Sequence, residues 1–286
     1  MTTIDLHIHT TATPHHATWT PAALAAAAAA QGLAVIAATD HNTTASVSAL
    51  QAAGAQVGVQ VLSGVEVDST ARGKLWHILL YHVPPTAPAL IALCESVFER
   101  NLADAQRLIA NLPQQGFVLH APDAESLLPP DTTRPPNVAD VATALTRYNH
   151  LPGRVVGEDD EAAGMRYLLT HLHEAYRPPE VATVIATAHQ LGGIAVLAHP
   201  GRSKGVYAIP ATDADIADMV AIGLDGLEVY YPTHTADQQA MYLALAHRYN
   251  LCITGGSDSH HPHQALADWE ATRLERLWER LGVSYV

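Results

Sequence analysis

Two histidines set two residues apart open the chain's chemistry. Residues 4–9 read I-D-L-H-I-H, with His7 and His9 alternating against Ile4, Leu6 and Ile8. In an extended strand successive side chains point to opposite faces, so His7 and His9 project from the same one. Adjacent imidazoles fill a core poorly and are costly to protonate together, whereas a divalent metal ion gives both lone pairs a partner. Taken alone, the pair reads equally well as two chance surface histidines on an edge strand. The rest of the chain adds His41, Glu66, His77, His199, Asp258 and His260, gathered about the ends of apolar runs. Asp258 and His260 repeat the two-residue spacing of His7 and His9.

Each member has an ordinary explanation by itself. His41 could cap the helix after it, with Asp40 turned away or serving as an outer hydrogen-bond acceptor. Glu66 could be a solvated strand end, with Asp68 sharing its parity, and His77 a hydrogen-bonded core histidine. The joint pattern is far harder to reach by chance. Eight or nine ligand side chains exceed what one ion needs and suit two or three divalent ions with bridging carboxylates. Mixed imidazole and carboxylate ligation favours Zn, Mn or Fe over Ca or Mg. Such ions lower the pKa of a bound water and clamp phosphate oxygens, so the chemistry implied is hydrolysis.

The elements that must position these residues alternate strand with helix. A helix is expected from Pro21 to about residue 31, capped by Thr20 and stopped by Gly32. Residues 33–38 form an unbroken apolar run into T-D-H-N, as in a strand buried on both faces of a parallel sheet. A helix over 44–53 and strand regions over 57–67 and 75–83 follow, then a helical stretch over 87–112. Residues 113–179 are polar, proline-rich and strand-poor, with helical pieces near 138–148 and 161–175. Alternation then resumes, with helices over 181–191, 214–222 and 236–249, strands over 194–198, 226–232 and 251–254, and a closing helix over 269–281. Seven or so strands alternating with helices imply a parallel α/β architecture. No glycine-rich dinucleotide fingerprint follows the first strand, and polar residues gather at strand ends, which favours a barrel over an open doubly wound sheet. The expected organisation is a barrel of residues 1–99 and 181–286 with a helical insertion over 100–180.

Composition narrows the function. The chain has 286 residues, 48% of them hydrophobic, enough for a large core. A net charge of −13 weighs against a long nucleic-acid duplex as partner, since duplex binding leans on many Lys and Arg contacts. A small phosphorylated substrate remains open, because a metal centre could meet its charge locally. Cys94 and Cys252, far apart, give no disulfide framework and suit a reducing compartment. With no charged-then-apolar leader and an alanine run at 22–30 too short to span a bilayer, the expectation is a cytoplasmic protein with no membrane partner. The oligomeric state is not legible.

At this point the chain resembles the polymerase and histidinol phosphatase (PHP) family of metal-dependent phosphoesterases. The resemblance rests on D-L-H-I-H-T (5–10), T-D-H-N (39–42), G-V-E-V (64–67) with His77 eleven residues after Glu66, A-H-P-G-R (198–202) and G-G-S-D-S-H (255–260). It implies a distorted (β/α)7 TIM-like barrel and, in most members, a trinuclear centre. The R-P-x-x (134–137), A-Y-x-P (175–178) and E-V-Y-Y-P-x-H (228–234) stretches look like the subgroup acting on nucleoside phosphates and short oligonucleotides, which carries a similar helical insertion. There are departures: Pro14 stands where the family often has an aspartate ligand, so that either His15 or His16 replaces it or the site holds fewer ions, and Pro136 stands where the subgroup often has histidine.

The leading expectation is therefore a metal-dependent phosphoesterase acting on nucleotides or short oligonucleotides, with a metal-bridging hydroxide attacking phosphorus in line. His7, His9, His15, His41, Glu66, His77, His199, Asp258 and His260 are the ligand candidates. Asp258, His199 and Arg202 are the catalytic candidates, and Arg202, Arg134, Arg177 and His234 the substrate contacts, with Arg154, Tyr230 and Tyr231 as further ones. The rivals are a histidinol-phosphate phosphatase, an amidohydrolase-type barrel and a catalytically degenerate PHP module. The amidohydrolase rival normally needs a bridging lysine or carboxylate, and no lysine lies at a strand end here.

Overall fold

The computed structural model describes residues 2–13, 17–128, 134–154, 156–172, 174–203 and 209–284. Strand β1 (Thr3–Ile8) leads to helix α1 (Pro21–Gln31), where the Thr20 side chain accepts from the Ala23 N–H and Gly32 closes the helix in the left-handed region at φ 78°. Strand β2 (Leu33–Ala38), helix α2 (Val47–Val57), strand β3 (Gln60–Ala71) and strand β4 (Lys74–Tyr81) follow. After helix α3 (Pro88–Asn111), helices α4 (Val138–Tyr148) and α5 (Asp160–His171) fall within the expected insertion. The chain returns through α6 (Val181–Gln190), β5 (Ile194–Leu197), α7 (Asp213–Ala221), β6 (Gly226–Tyr230), α8 (Ala236–Arg248) and β7 (Cys252–Gly255), and ends in β8 (Trp269–Glu270) and α9 (Glu275–Leu281).

The strands form one sheet in the order β7-β6-β5-β4-β3-β2-β1-β8. It curls nearly to closure: the His9 N–H donates to the Ser259 carbonyl at 2.9 Å and the Asp258 N–H to the His7 carbonyl at 2.8 Å, joining the end of β1 to the segment after β7. The distorted α/β barrel expected from the sequence is thus the fold. Its strands are not all parallel, however. β4 runs antiparallel to both β3 and β5. The cause is the two-residue link between the paired residues Ala71 and Lys74, in which Arg72 (φ 50°) and Gly73 (φ 71°) both take positive φ. So short a turn can join only antiparallel strands.

β1 departs from plain alternation as well. Ile4 and Leu6 pack with Val35, Leu79 and Val196, whereas Ile8 packs with Leu24 and Leu50 of the covering helices. A register shift between Asp5 and Ile8 marks the change of face, and irregularities of this kind re-aim side chains beside functional sites. The C-terminal stretch also differs from the single helix expected. Trp269 and Glu270 pair antiparallel with Ile4 and Thr3, so strand pairing there overrides helix propensity, and α9 begins only at Glu275.

The insertion has its own core, in which Ala105, Leu108 and Ile109 of α3 pack with Val141, Leu145 and Leu168. The first half of α3 belongs to the barrel core instead, through Leu90, Leu93, Cys94 and Val97. One continuous helix therefore spans the expected boundary near residue 100. Gly164 lets α5 approach α4 closely, since a Cβ there would lie 2.0 Å from the Ala142 carbonyl oxygen. Among the described residues, no helix is long and apolar enough to cross a membrane.

Candidate metal centre and active site

Strands β1, β3, β5 and β7 end at one rim of the barrel, and β4, running the other way, begins there. Glu66 lies within β3 and His77 within β4, and the antiparallel pairing of Asp68 with His77 puts the His77 side chain on the same face as Glu66. Glu66 sits at the middle of the group. Its Oε2 lies 3.3 Å from His7 Nε2, 3.3 Å from His9 Nε2 and 3.2 Å from His41 Nδ1. Its Oε1 lies 2.9 Å from His77 Nδ1 and 3.0 Å from His199 Nε2. Asp258 Oδ1 lies 3.1 Å from His9 Nε2 and 3.6 Å from His7 Nε2, and the His260 ring stacks on His9 at a centroid separation of 4.0 Å. Three overlapping sets of ligand atoms result: His7, His9, Glu66 and Asp258; His41, Glu66 and His77; and His9, His41 and His260. His15 and His16 lie outside the described residues.

Three of these atoms, His7 Nε2, His41 Nδ1 and Glu66 Oε2, are buried without a hydrogen-bond partner. An unsatisfied buried polar group costs about 1–3 kcal/mol. Here the three face one another, and a set of imidazole and carboxylate lone pairs fits a divalent cation. The charge balance agrees. Burial opposes ionisation of Glu66, but His41, His7 and His77 outweigh it and hold its carboxyl well below the usual range. Asp258 is held low in the same way, by His7 and His9. Burial pushes His199 down to about 4 and His260 down to about 3, so both are neutral near pH 7 with lone pairs available.

A second layer of residues fixes the first. Glu228 of β6 is wholly buried, accepts from His7 Nδ1–H at 3.0 Å, and takes the His199 backbone N–H at 2.7 Å. With its Nδ1 proton held by Glu228, His7 would turn its Nε2 lone pair toward Glu66 once a cation displaced the second proton. Asp40 accepts from the Thr10 N–H at 2.6 Å and from the Thr10 and Thr13 hydroxyls at 2.8 and 2.7 Å, fixing the loop after β1. Thr13 Oγ1 in turn lies 3.3 Å from His9 Nδ1. Asp258 Oδ2 accepts from the Tyr231 hydroxyl at 2.9 Å, which leaves Oδ1 to the histidines. His199 (φ 28°) and Asp258 (φ 55°) both sit in the left-handed region, strained backbone of the kind that functional sites retain. Gly256 is required by close approach: a Cβ there would lie 2.2 Å from His7 Cβ.

A cleft of about 830 Å3 opens from this rim beneath the insertion. His41, His77, His199 and His260 line one end; Arg134, Asn137, Met165, Leu169 and Tyr176 line the insertion side, with Arg202 between. Arg202 Nη1 lies 3.5 Å from Asp258 Oδ2, and Arg134 is braced by Asp140 at 2.6 Å. Arg177 and His234 are not among the residues lining the cleft. Arg177 turns onto Asp104 at 2.7 Å, and His234 donates from Nδ1 to the Val229 carbonyl and accepts the Gly201 N–H at Nε2, both at 2.9 Å. Arg154 meets Asp160 at 2.9 Å. Tyr230 and Tyr231 are buried. Sequence reasoning missed Glu228 as a site residue, although an acid inside the apolar strand G-L-E-V-Y is a signal that could have found it.

A model of the PHP domain matches residues 5–195. The chain is similar to a phosphoribosyl 1,2-cyclic phosphate 1,2-diphosphodiesterase of Eggerthella lenta, 32% identical over 196 residues, covering 66% of this chain and 68% of that protein. It is 30% identical over 264 residues to a 5'-3' exoribonuclease of Haemophilus influenzae, covering 90% of each. It is 28% identical over 196 residues to a 3',5'-nucleoside bisphosphate phosphatase of Chromobacterium violaceum, covering 67% of this chain and 65% of that protein. Its fold matches a solved structure from Bifidobacterium adolescentis assigned as a metal-dependent phosphoesterase, with TM-score 0.70, 24% identity and coverage of 97% and 96%. It also matches a structure from Chromobacterium violaceum described as an amidohydrolase with bound sulfate, with TM-score 0.69, 28% identity and the same coverage. The family match runs from the first histidine strand into β5, through most of the rim that Glu66 organises, and the chain belongs to the PHP domain family of metal-dependent phosphoesterases.

Proposed function

We propose that this phosphoesterase removes phosphate from nucleotides, either nucleoside mono- and 3',5'-bisphosphates or the ends of short oligonucleotides. The observation that carries the reading is the cleft, which runs from the histidine rim to Arg134 beneath the insertion. A metal-facing phosphate at one end and an arginine at the other suit a substrate with a phosphate, a body and a second anionic group. Leu75, Trp76, Phe98 and Met165 supply an apolar wall for that body. The insertion over 100–180 acts as a roof that admits a chain end or free nucleotide and excludes a continuous duplex.

His7, His9, His41, Glu66, His77, His199, Asp258 and His260 hold two or three divalent ions, of Zn, Mn or Fe type by their donor set. Bound ions supply an activated water and a clamp on phosphate oxygens. The chain's own residues do the rest. Arg202 neutralises phosphate oxygens beside Asp258, and Arg134, held rigid by Asp140, pairs with the distal phosphate. Glu228 keeps the His7 proton at Nδ1, so that Nε2 stays free.

The test is kcat/KM for nucleoside monophosphates, 3',5'-bisphosphates, short oligonucleotides, a ribose cyclic phosphate and histidinol phosphate side by side. The expected result is a preference for the nucleotides and oligonucleotide ends. A clear preference for histidinol phosphate or the cyclic sugar phosphate, or cleavage inside long nucleic acid, would overturn the assignment.

A further inference from the structure

Asp68 follows Glu66 by two residues on β3 and pairs across the ladder with His77 of β4, so all three side chains share a face. Its Oδ1 lies 3.6 Å from His41 Nδ1 and 3.6 Å from His77 Nε2. Its Oδ2 accepts from the Tyr176 hydroxyl at 2.7 Å, and its backbone N–H donates to Asn42 Oδ1 at 3.0 Å. Tyr176 lies on the strap that leaves the insertion. That strap is pinned by the Arg177 N–H on Asp104 at 2.7 Å and by the Thr70 N–H on the Pro179 carbonyl at 2.9 Å. The carboxylate is therefore held from one side, with its other oxygen turned to two imidazoles.

A separation of 3.6 Å is too long for a hydrogen bond. It does fit two donors around one cation, whose bonds run about 2.0–2.2 Å. His41 Nδ1 is buried and unpaired, with Glu66 Oε2 at 3.2 Å and Asp68 Oδ1 at 3.6 Å. Resting on the phosphoesterase reading above, we infer that Asp68 supplies a further carboxylate ligand to the metal centre beside His41 and His77, and that Tyr176 holds it in place. The insertion thereby contributes to the centre itself through one phenol hydrogen bond, besides roofing the cleft.

The experiment titrates Zn2+ and Mn2+ into metal-free protein by calorimetry, with bound metal counted by elemental analysis. Wild type is compared with Asp68→Asn, Asp68→Ala and Tyr176→Phe. Asp68→Asn keeps an acceptor for Tyr176 and removes only the charge, so it spares a mere latch and disables a ligand. Should Asp68→Ala fail to fold, Asp68→Asn still decides the matter. Both Asp68 variants are expected to lose one ion or to bind it at least about 10- to 100-fold more weakly, with a smaller loss in Tyr176→Phe. Wild-type affinity and stoichiometry in Asp68→Asn would overturn the assignment and leave a latch between strap and barrel. A wild-type protein that binds no divalent ion would overturn it together with the phosphoesterase reading.

Discussion

His7 Nε2 lies 3.3 Å from Glu66 Oε2, both atoms are buried, and neither has a hydrogen-bond partner. The two residues are distant in sequence, and the curled sheet brings them together, His7 from β1 and Glu66 from β3. In the metal-free protein a proton on His7 holds the pair together, and a divalent cation would take that proton's place. A cation bound between them would couple metal uptake to folding and to proton release.

Glu66 touches five histidines through its two oxygens. Glu66→Gln should lower phosphatase turnover by more than about 100-fold and reduce bound metal, since it removes a shared ligand and not merely an outer partner. Steady-state rates with elemental analysis check this. Near-normal turnover with full metal content would show that Glu66 is not a ligand.

Glu228 acts on His7 and His199 at once. Glu228→Gln should weaken metal binding by about 10- to 100-fold while the protein still folds, because the amide retains an acceptor but no longer fixes the His7 proton. Competition titration with a chromophoric chelator gives the affinity. An affinity within twofold of wild type would remove Glu228 from the account.

The metal-free protein should lose stability as pH rises above neutral. Burial pulls His7 down, but Glu228, Glu66 and Asp258 pull harder and raise it well above 6.5. His9 is raised too, by Asp258 and Glu66 against its burial. A raised folded pKa contributes stability that is fully present below the unfolded value and lost as pH climbs through the folded one. Metal displaces those protons, so uptake at pH 7 should release protons, and the loaded protein should lack the alkaline loss. Tm against pH for both forms, with calorimetry in two buffers of different ionisation enthalpy, measures this. A flat metal-free profile without proton release would contradict it.

Gly256→Ala should destabilise the protein by about 1–3 kcal/mol and impair metal binding, because the added methyl lands on His7. Denaturant unfolding of the metal-free form reads the stability, and a wild-type midpoint would show that β1 gives way easily.

Much of this was legible because the chemistry sits at strand ends that punctuate the sequence. Thr20, Pro21 and Gly32 delimit α1 locally, and the His7–His9 and Asp258–His260 spacings mark the two strand exits that meet at the rim. What escaped depends on long-range contact. β4 reads like any other apolar strand, and only the two-residue link at Arg72-Gly73 betrays its direction. Trp269 and Glu270 carry no mark of pairing with Ile4 and Thr3. Arg134 and Arg177 look alike in sequence; Asp140 braces one at the cleft and Asp104 draws the other aside.

Phosphate release should depend on divalent ions held by the Glu66 cluster. The most direct measurement is phosphate release from a nucleoside 3',5'-bisphosphate by protein stripped with a chelator, shown metal-free by elemental analysis, then reloaded with Zn2+, Mn2+ or Fe2+. The stripped protein should show no turnover and should recover it on reloading with at least one of these ions. Undiminished turnover in verified metal-free protein would contradict it.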